Sequence, residues 1–314
     1  MKPLIIAECC QNHNGDIEVL KRQIHAAAEN GADFVKLQAI RSSELTHRER
    51  FDRGIIDSNG KTKSIKRPFK QELERLKKLD LTTEQESWFA DECKRAGIGS
   101  MATVFSLNSA KELKDMGYEA IKIASYDCAS YPLLYEVKKY WSTIFVSTGA
   151  TFDHEIEGAA KILEGSNYHF LHCTTIYPTP LKDLNLRRMD YLRRYTQKVG
   201  YSDHTKVEET QVIASKIALA LGASCIERHF TILERDQTRD GPVSINPLEL
   251  KQLTDFAKLP RSKMISLINE EFSNWEITLG ASSRELTYEE LLNRDYYRGR
   301  FASLIDNKHI NNWE

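Results

Sequence analysis

The stretch LKRQIHAAAENGADFVKLQ, residues 20–38, contains a helix, a stop signal and a strand in immediate succession. Leu20, Ile24, Ala27 and Ala28 form one apolar stripe, because spacings of three and four residues place side chains on one face of a helix. Gly31 stands where the left-handed residue that ends a helix is expected, and the apolar FVKLQ that follows is typical of a buried strand. This helix–turn–strand unit is the element from which parallel α/β proteins are built.

Strand patterns of this kind recur along the chain, most of them followed by a helical pattern. They are LIIAE (4–8), FVKLQ (34–38), IGSMAT (98–103), EAIKIA (119–124), TIFVST (143–148), YHFLHC (168–173), QKVGYS (197–202) and SCIERH (224–229). Thr83 and Glu86 predict a capping box at the start of a helix that stops at Gly97, and the helical pattern from residue 212 stops at Gly222. Eight such units predict an α/β fold, a TIM barrel; a doubly wound open sheet is the alternative, although no glycine-rich nucleotide motif follows a strand.

Two regions interrupt the alternation. Residues 41–80 form a polar insert rich in Lys and Arg, which we interpret either as a solvated loop and helix or as a flap over the mouth of the barrel. The predicted division is a barrel domain at residues 1–265 and a short helical or irregular extension at residues 266–314.

The composition argues against several classes of partner. Lys and Arg number 44 against 45 Asp and Glu, so the charge calls for neither nucleic acid nor an acidic membrane. No apolar run approaches the roughly 20 residues that span a bilayer, and the N-terminal apolar segment is too short for a signal peptide. The six cysteines are scattered without a CxxC pair, which predicts reduced thiols and a cytoplasmic protein.

Polar residues follow the predicted strands at the ends where a TIM barrel carries its chemistry. In chain order they are Glu8, Lys36 with Gln38, Thr103, Lys122 with Ser125, Ser147 with Thr148, His172, Ser202 with His204, and Glu227 with His229. Lys36 and Lys122 lie inside apolar strands, where a barrel normally carries Val, Ile or Leu. Together with the neighbouring hydroxyls, the two lysines predict a pocket for a phosphate, a carboxylate or both.

His204 and His229 follow adjacent strands, so their imidazoles could reach one ion. Two imidazoles leave coordination positions open, which favours a divalent metal acting on substrate over a structural zinc. Ser202, Asp203 and His204 are consecutive and therefore do not form a hydrolase triad, because neighbouring side chains of a strand point to opposite faces.

With these residues in place, the chain resembles the sialic acid synthases, which make nine-carbon ulosonic acids from phosphoenolpyruvate. The resemblance runs over roughly residues 3–260 through the segments IIAECCQNHNGD, GADFVKLQA, MATVFS, IKIASYD, VSTGA, LHCTTIYPTP, VGYSDHT and CIERHFT. It implies a TIM barrel and a reaction that joins phosphoenolpyruvate to the aldehyde of an N-acylated amino sugar. It also implies a divalent metal, manganese or magnesium.

The resemblance assigns roles by position. It implies catalytic roles for Glu8, His204 and His229, with the two histidines as metal ligands. It implies phosphoenolpyruvate-binding roles for Lys36, Thr103, Lys122, Ser125, Ser147 and Ser202, and sugar-binding roles for Thr175, Tyr177, Asp240 and Gln38.

The chain also departs from the family pattern. The family carries an antifreeze-like domain after the barrel that supplies an arginine to a partner's site, and we expect this chain to lack it. Cys9-Cys10 replaces the usual Ile-Gly, Val104 replaces a proline, and Asp127 replaces a glutamate. These departures favour the same reaction on a different acceptor, with legionaminic and pseudaminic acid precursors as candidates.

Other interpretations stay open at this point. A synthase for a phosphorylated sugar would need a second phosphate site, and a metal-dependent aldolase or isomerase would leave the lysines unused. A degenerate barrel would bind sugar acids without turnover. A homodimer through the barrels is also expected.

Overall fold

The structure, a computed structural model, describes residues 2–313 and contains a closed barrel of eight parallel strands. The strands neighbour one another in chain order, and the last pairs with the first. They are Leu4–Cys10, Phe34–Gln38, Gly99–Val104, Ala120–Ile123, Ile144–Ser147, Tyr168–His172, Val199–Asp203 and Cys225–His229. The predicted TIM barrel is confirmed, and the open doubly wound sheet is wrong.

A helix follows each strand and covers the outside of the barrel. In order these helices are Ile17–Glu29, Thr83–Ala96, Leu107–Asp115, Tyr131–Tyr140, Asp153–Leu163, Arg188–Leu192, Ile213–Ala220 and Pro247–Phe256. Between them lie the short helix Val207–Thr210 and single turns at Ser125–Asp127, Leu181–Asp183, Arg235–Gln237 and Gly241–Val243.

The capping box before Thr83–Ala96 is one residue earlier than predicted. Thr82 is the N-cap and exchanges hydrogen bonds with Gln85, because the sequence TTEQE satisfies the same pattern in two registers. Glu86, the predicted partner, is buried and accepts a hydrogen bond from Arg41 Nη2 at 2.9 Å. Burial of an ion pair with the insert therefore decided between the two registers.

Strand alternation divides the barrel into an outer and an inner layer. Val35, Leu37 and their equivalents pack outward against the helices, while Ile6, Met101 and Phe145 belong to a separate apolar cluster that fills the inside. The inward residues nearer the C-terminal ends of the strands are polar, as described below. His172, which the sequence placed among the polar residues at the strand ends, does not line the cavity. Its Nε2 lies 2.6 Å from the carbonyl oxygen of Leu184.

The insert after the second strand contains the turn Ser42–Glu44, the helices Arg50–Arg53 and Phe69–Lys77, and the hairpin Ile55–Ile56 and Thr62–Ser64. Two of its arginines, Arg67 and Arg75, line the cavity at the mouth of the barrel. The insert therefore lies over the mouth of the barrel, as the second of its two interpretations expected.

The segment after the eighth helix folds back over the same end of the barrel. It contains the helices Arg261–Glu271 and Tyr288–Tyr297, the turn Trp275–Thr278, and the hairpin Ser303–Ile305 and Lys308–Ile310. Arg294 donates to the carbonyl oxygen of Ala150 at 2.7 Å and to Glu155 Oε1 at 2.5 Å, which ties the helix Tyr288–Tyr297 to the barrel. The domain boundary at residue 265 stays a prediction. Within residues 2–313, no helix combines the length and the apolar character needed to cross a membrane.

Candidate active site

A cavity of about 470 Å³ opens at the C-terminal ends of the barrel strands. This size is within the usual range for small-molecule sites. Every predicted site residue except Thr175 lines it: Glu8, Lys36, Gln38, Thr103, Lys122, Ser125, Ser147, Tyr177, Ser202, His204, His229 and Asp240. Residues from seven of the eight strands thus line one cavity, because the strands of a closed barrel all end around the same opening.

Thr175 lies behind the cavity wall. It is fully buried, its carbonyl oxygen accepts a hydrogen bond from Asn293 Nδ2 at 2.9 Å, and its methyl group packs where Gly149 has no side chain. The structure does not bring it to the cavity, so its contact with a sugar has no support from the geometry.

Two buried lysines face each other across a buried carboxylate at the floor of the cavity. Lys36 Nζ lies 3.6 Å from Glu227 Oε2, and Lys122 Nζ lies 3.5 Å from Glu227 Oε1. Ser202 Oγ donates to the same carboxylate at 2.8 Å. Burial would raise the pKa of Glu227, but Lys122 and Lys36 outweigh it and hold the pKa below its usual range, so Glu227 is ionised.

Each lysine also donates to a hydroxyl on the neighbouring strand. Lys36 Nζ donates to Thr103 Oγ1 at 2.7 Å and contacts Glu8, while Lys122 Nζ donates to Ser147 Oγ at 2.6 Å. Burial lowers the pKa of Lys36 to about 7 although Glu227 opposes the shift, and the contact with Glu8 also favours the charged ammonium. The floor therefore combines the two lysines with Glu8, Glu227 and several hydroxyls, and the lysines and hydroxyls offer hydrogen-bond donors to an anion.

The two histidines lie together in the same cavity, with His229 on the last strand and His204 directly after the strand before it. The ring centroids of His204 and His229 are 5.2 Å apart, and Tyr177 packs on His204 at 4.4 Å. Burial lowers the pKa of both imidazoles, helped for His204 by the proximity of His229, so both are neutral near pH 7. The Nδ1 atoms of both are buried without a hydrogen-bond partner among residues 2–313.

Neutral imidazoles with unpartnered nitrogen atoms are suitable ligands for a divalent cation. Two further donors lie close to His229. The potential ligand atoms of Cys10, His229 and Asp240 all lie within 4.8 Å of one another, a group that does not include His204. The residues present therefore fit a metal.

Asp203, the middle residue of the Ser-Asp-His run, points away from the cavity. Its Oδ1 lies 2.5 Å from Arg228 Nη1, and both side chains are completely buried between the barrel and the helices. Ser202 and His204 point inward, which agrees with the sequence argument against a hydrolase triad.

The mouth of the cavity is rich in arginine. Arg67 and Arg75 come from the insert, Arg239 from the loop after the last strand, and Arg300 from the C-terminal segment. Arg300 and Arg75 both pair with Glu72, whereas Arg67 and Arg239 are exposed. The mouth would therefore attract a negatively charged substrate.

Sequence reasoning assigned no role to Glu227 or to Arg239, whereas the insert that carries Arg67 and Arg75 was predicted, in one of two interpretations, to cover the mouth. Glu227 had a signal, because it lies two residues before His229 and so faces the same side of its strand. No signal indicated which individual arginines reach the mouth, since the paths of loops over the barrel are not encoded in any local pattern.

A closed parallel barrel whose C-terminal face opens into a cavity lined by buried lysines, histidines and carboxylates is typical of a TIM-barrel enzyme. The sequence profile of the NeuB family matches residues 23–264, and the chain belongs to this family. It is a synthase of the transferase class, a NeuB-family ulosonic acid synthase.

Individual relatives agree with this membership. The N,N'-diacetyllegionaminic acid synthase of Campylobacter jejuni is 34% identical over 266 residues, which cover 80% of this chain and 74% of that protein. The spore coat polysaccharide biosynthesis protein SpsE of Bacillus subtilis is 30% identical over 95% of this chain and 78% of its own length.

Among solved structures, the N-acetylneuraminic acid synthetase of Leptospira borgpetersenii superposes with a TM-score of 0.70 at 28% identity. The match covers 94% of this chain and 91% of that one. The similarity therefore extends beyond the barrel into the C-terminal segment.

Proposed function

We propose that the protein condenses phosphoenolpyruvate with the aldehyde of an N-acylated amino sugar, giving a nine-carbon ulosonic acid and phosphate. The observation that carries the proposal is the floor of the cavity, where Lys36 and Lys122 are buried with hydroxyls on both sides. Phosphoenolpyruvate presents a carboxylate and a phosphate on the same carbon atom. Two ammonium groups on neighbouring parts of one floor match this pair of charges.

The lysines would bind and orient phosphoenolpyruvate with its methylene carbon toward the histidines. Thr103 and Ser147, which accept from the lysines, fix the positions of the two ammonium groups. Glu227 pairs with both lysines and Glu8 pairs with Lys36 before substrate enters, so neither buried ammonium is left unpaired.

His204 and His229 would hold the divalent cation, for which manganese and magnesium are the candidates. A cation bound there supplies polarisation of the aldehyde oxygen, which makes the aldehyde carbon electrophilic. The histidines would act as neutral ligands, and Tyr177, which packs against His204, would contact the acceptor.

The reaction balances with one water molecule. The methylene carbon of phosphoenolpyruvate forms a bond to the aldehyde carbon, and water adds to the enol carbon. The bond between that carbon and the bridging oxygen then breaks, so phosphate leaves with the bridging oxygen. Glu8 would take the proton from water, because its carboxylate lies on the floor beside Lys36, and one proton ends on the former aldehyde oxygen.

An isotope experiment tests this course. The enzyme is given phosphoenolpyruvate labelled with heavy oxygen at the bridging position, together with N-acetylmannosamine or a diacetylated analogue. Mass spectrometry should find the label in the released phosphate, and release should require the acceptor. Phosphate released without label would mean cleavage of the phosphorus–oxygen bond and would contradict the mechanism; no release with any acceptor would contradict the function.

A second candidate differs only in the acceptor, which would carry a phosphate of its own. The arginines at the mouth favour it, since Arg67 and Arg239 are exposed and face the cavity. A comparison of kcat/KM for a phosphorylated and an unphosphorylated hexosamine decides between them. A phosphate-specific contact predicts that Arg67→Ala lowers kcat/KM only for the phosphorylated acceptor.

A further inference from the structure

Cys10 occupies an unusual place at the end of the first strand. Its backbone has a φ of 40°, a left-handed conformation that residues other than glycine rarely adopt. The pairing with the second strand slips by one residue between Glu8 and Cys10, as at a β-bulge. Bulges near active sites re-aim a side chain, and here the aimed group is a fully buried thiol.

The thiol points at a carboxylate beside a histidine. Cys10 Sγ donates to Asp240 Oδ2 at 3.2 Å, although the two residues are 230 positions apart in the chain. The ligand atoms of Cys10, Asp240 and His229 are mutually within 4.8 Å. His229 is buried, its Nδ1 has no hydrogen-bond partner among residues 2–313, and the ring of His204 lies 5.2 Å away.

We propose that Cys10 and Asp240 are direct ligands of the cation, so that a sulfur and an oxygen join the two imidazoles. The inference rests on the cation site of the proposed function and deepens it. The thiol of Cys10 would lose the proton that it donates to Asp240 when both side chains hold a cation, so binding would release one proton.

The donor set changes the expected metal. Magnesium prefers oxygen donors, whereas a thiolate with imidazoles and one carboxylate favours a later first-row cation such as cobalt, iron or zinc. The positive φ at Cys10 costs free energy, which favours a role for its side chain over a role in packing alone. A thiol needed only for packing would be replaced at lower cost by glycine, which adopts a positive φ without penalty.

The test is a titration of the purified protein with cobalt(II), which reports thiolate ligation directly. Cobalt bound to a thiolate gives an intense near-ultraviolet charge-transfer absorption, and equilibrium dialysis of the same samples gives the affinity. The variants are Cys10→Ser, which keeps the size of the side chain, and Cys10→Gly, which relieves the backbone. Cys9→Ala is the matched control, because its thiol lies in the outer core among the helices.

The wild-type protein and Cys9→Ala should bind one equivalent of cobalt with the charge-transfer absorption. Both Cys10 variants should lose this absorption and bind cobalt about 10- to 100-fold more weakly. Asp240→Asn should weaken binding while it keeps the absorption. Cys10→Gly relieves the positive φ, and an unchanged circular dichroism spectrum of both Cys10 variants would separate loss of the ligand from loss of the fold.

Either of two results would overturn the inference. The wild type could bind cobalt without the absorption, or the absorption could persist in both Cys10 variants. The second result would assign the absorption to another thiol, such as Cys173. Phosphate release, measured on the same wild-type sample with manganese, tests the proposed reaction independently of whether Cys10 is a ligand. Turnover without a thiolate band refutes ligation by Cys10 and leaves the synthase function standing. A thiolate band without phosphate release from any acceptor supports ligation and contradicts the proposed reaction.

Discussion

Replacing Arg228 by methionine should destabilise the protein by roughly 3 kcal/mol, because it leaves Asp203 as a buried carboxylate without its counter-ion. Both side chains are completely inaccessible to solvent, and Arg228 Nη1 lies 2.5 Å from Asp203 Oδ1. Arg228 Nη2 also donates to the carbonyl oxygen of Thr205 at 2.9 Å. The ion pair joins the last two strands just where they carry the inward-facing residues of the site.

The magnitude follows from what remains after the substitution. Removing one partner of a buried pair typically costs about 3–5 kcal/mol. Asp203 still accepts three hydrogen bonds, from the amide and hydroxyl of Thr205 and from Ser215 Oγ at 2.6 Å. Since these continue to stabilise the carboxylate, we expect the lower end of that range.

Urea unfolding followed by circular dichroism measures the effect, and a double-mutant cycle isolates its cause. Asp203→Asn combined with Arg228→Met removes the unpaired charge, so the double variant should be more stable than Arg228→Met alone. Lys251→Met is the control, because Lys251 pairs with Asp255 at 2.5 Å on the surface and should cost about 1 kcal/mol or less. A loss below about 1 kcal/mol for Arg228→Met, or additive losses in the double variant, would refute the reasoning.

Three further predictions concern other parts of the molecule. Burial raises the pKa of Glu44 to about 7, above its unfolded value near 4.5, so the free energy of unfolding should fall as pH rises from 4.5 to 7. Glu44→Gln should remove up to roughly 3 kcal/mol of that loss, and an unchanged pH profile of urea midpoints would count against it. Arg294→Met should speed hydrogen exchange in the helix Tyr288–Tyr297 relative to the barrel strands, since Arg294 holds this helix to Ala150 and Glu155; equal protection in both proteins would show that other contacts suffice. Lys122→Gln should lower kcat/KM for phosphoenolpyruvate on the order of a hundredfold by removing a buried ammonium, and steady-state phosphate release with little change would exclude it from the anion site.

Local sequence patterns predict much of the fold. The eight strands appear where short apolar runs predict them, because burial on both faces of a parallel strand selects such runs. Gly97 and Gly222 end their helices with positive φ, as expected for residues that must adopt a left-handed conformation. The capping box was displaced by one residue, since Thr82 and Thr83 offer the same local signal and only the burial of Glu86 against Arg41 separates them.

The inward orientation of the site residues also follows from the sequence. Alternation along a strand places Lys36 with Gln38, and Ser202 with His204, on the inner face once a barrel is assumed. The same alternation turns Asp203 outward, but its partner is a residue of the next strand and was not identified. Thr175 was carried to the site by resemblance alone, and the path of its loop places it behind the wall.

By itself, then, the sequence determined the order of strands and helices, the barrel, and the face on which the buried lysines and histidines lie, because each of these depends on periodicity within a few residues. Only the tertiary structure decided which distant groups meet. It brought Asp240 to Cys10, and Arg67 and Arg300 to one mouth. Such meetings depend on closure of the barrel and on the paths of long loops, and no spacing along the chain encodes either of them.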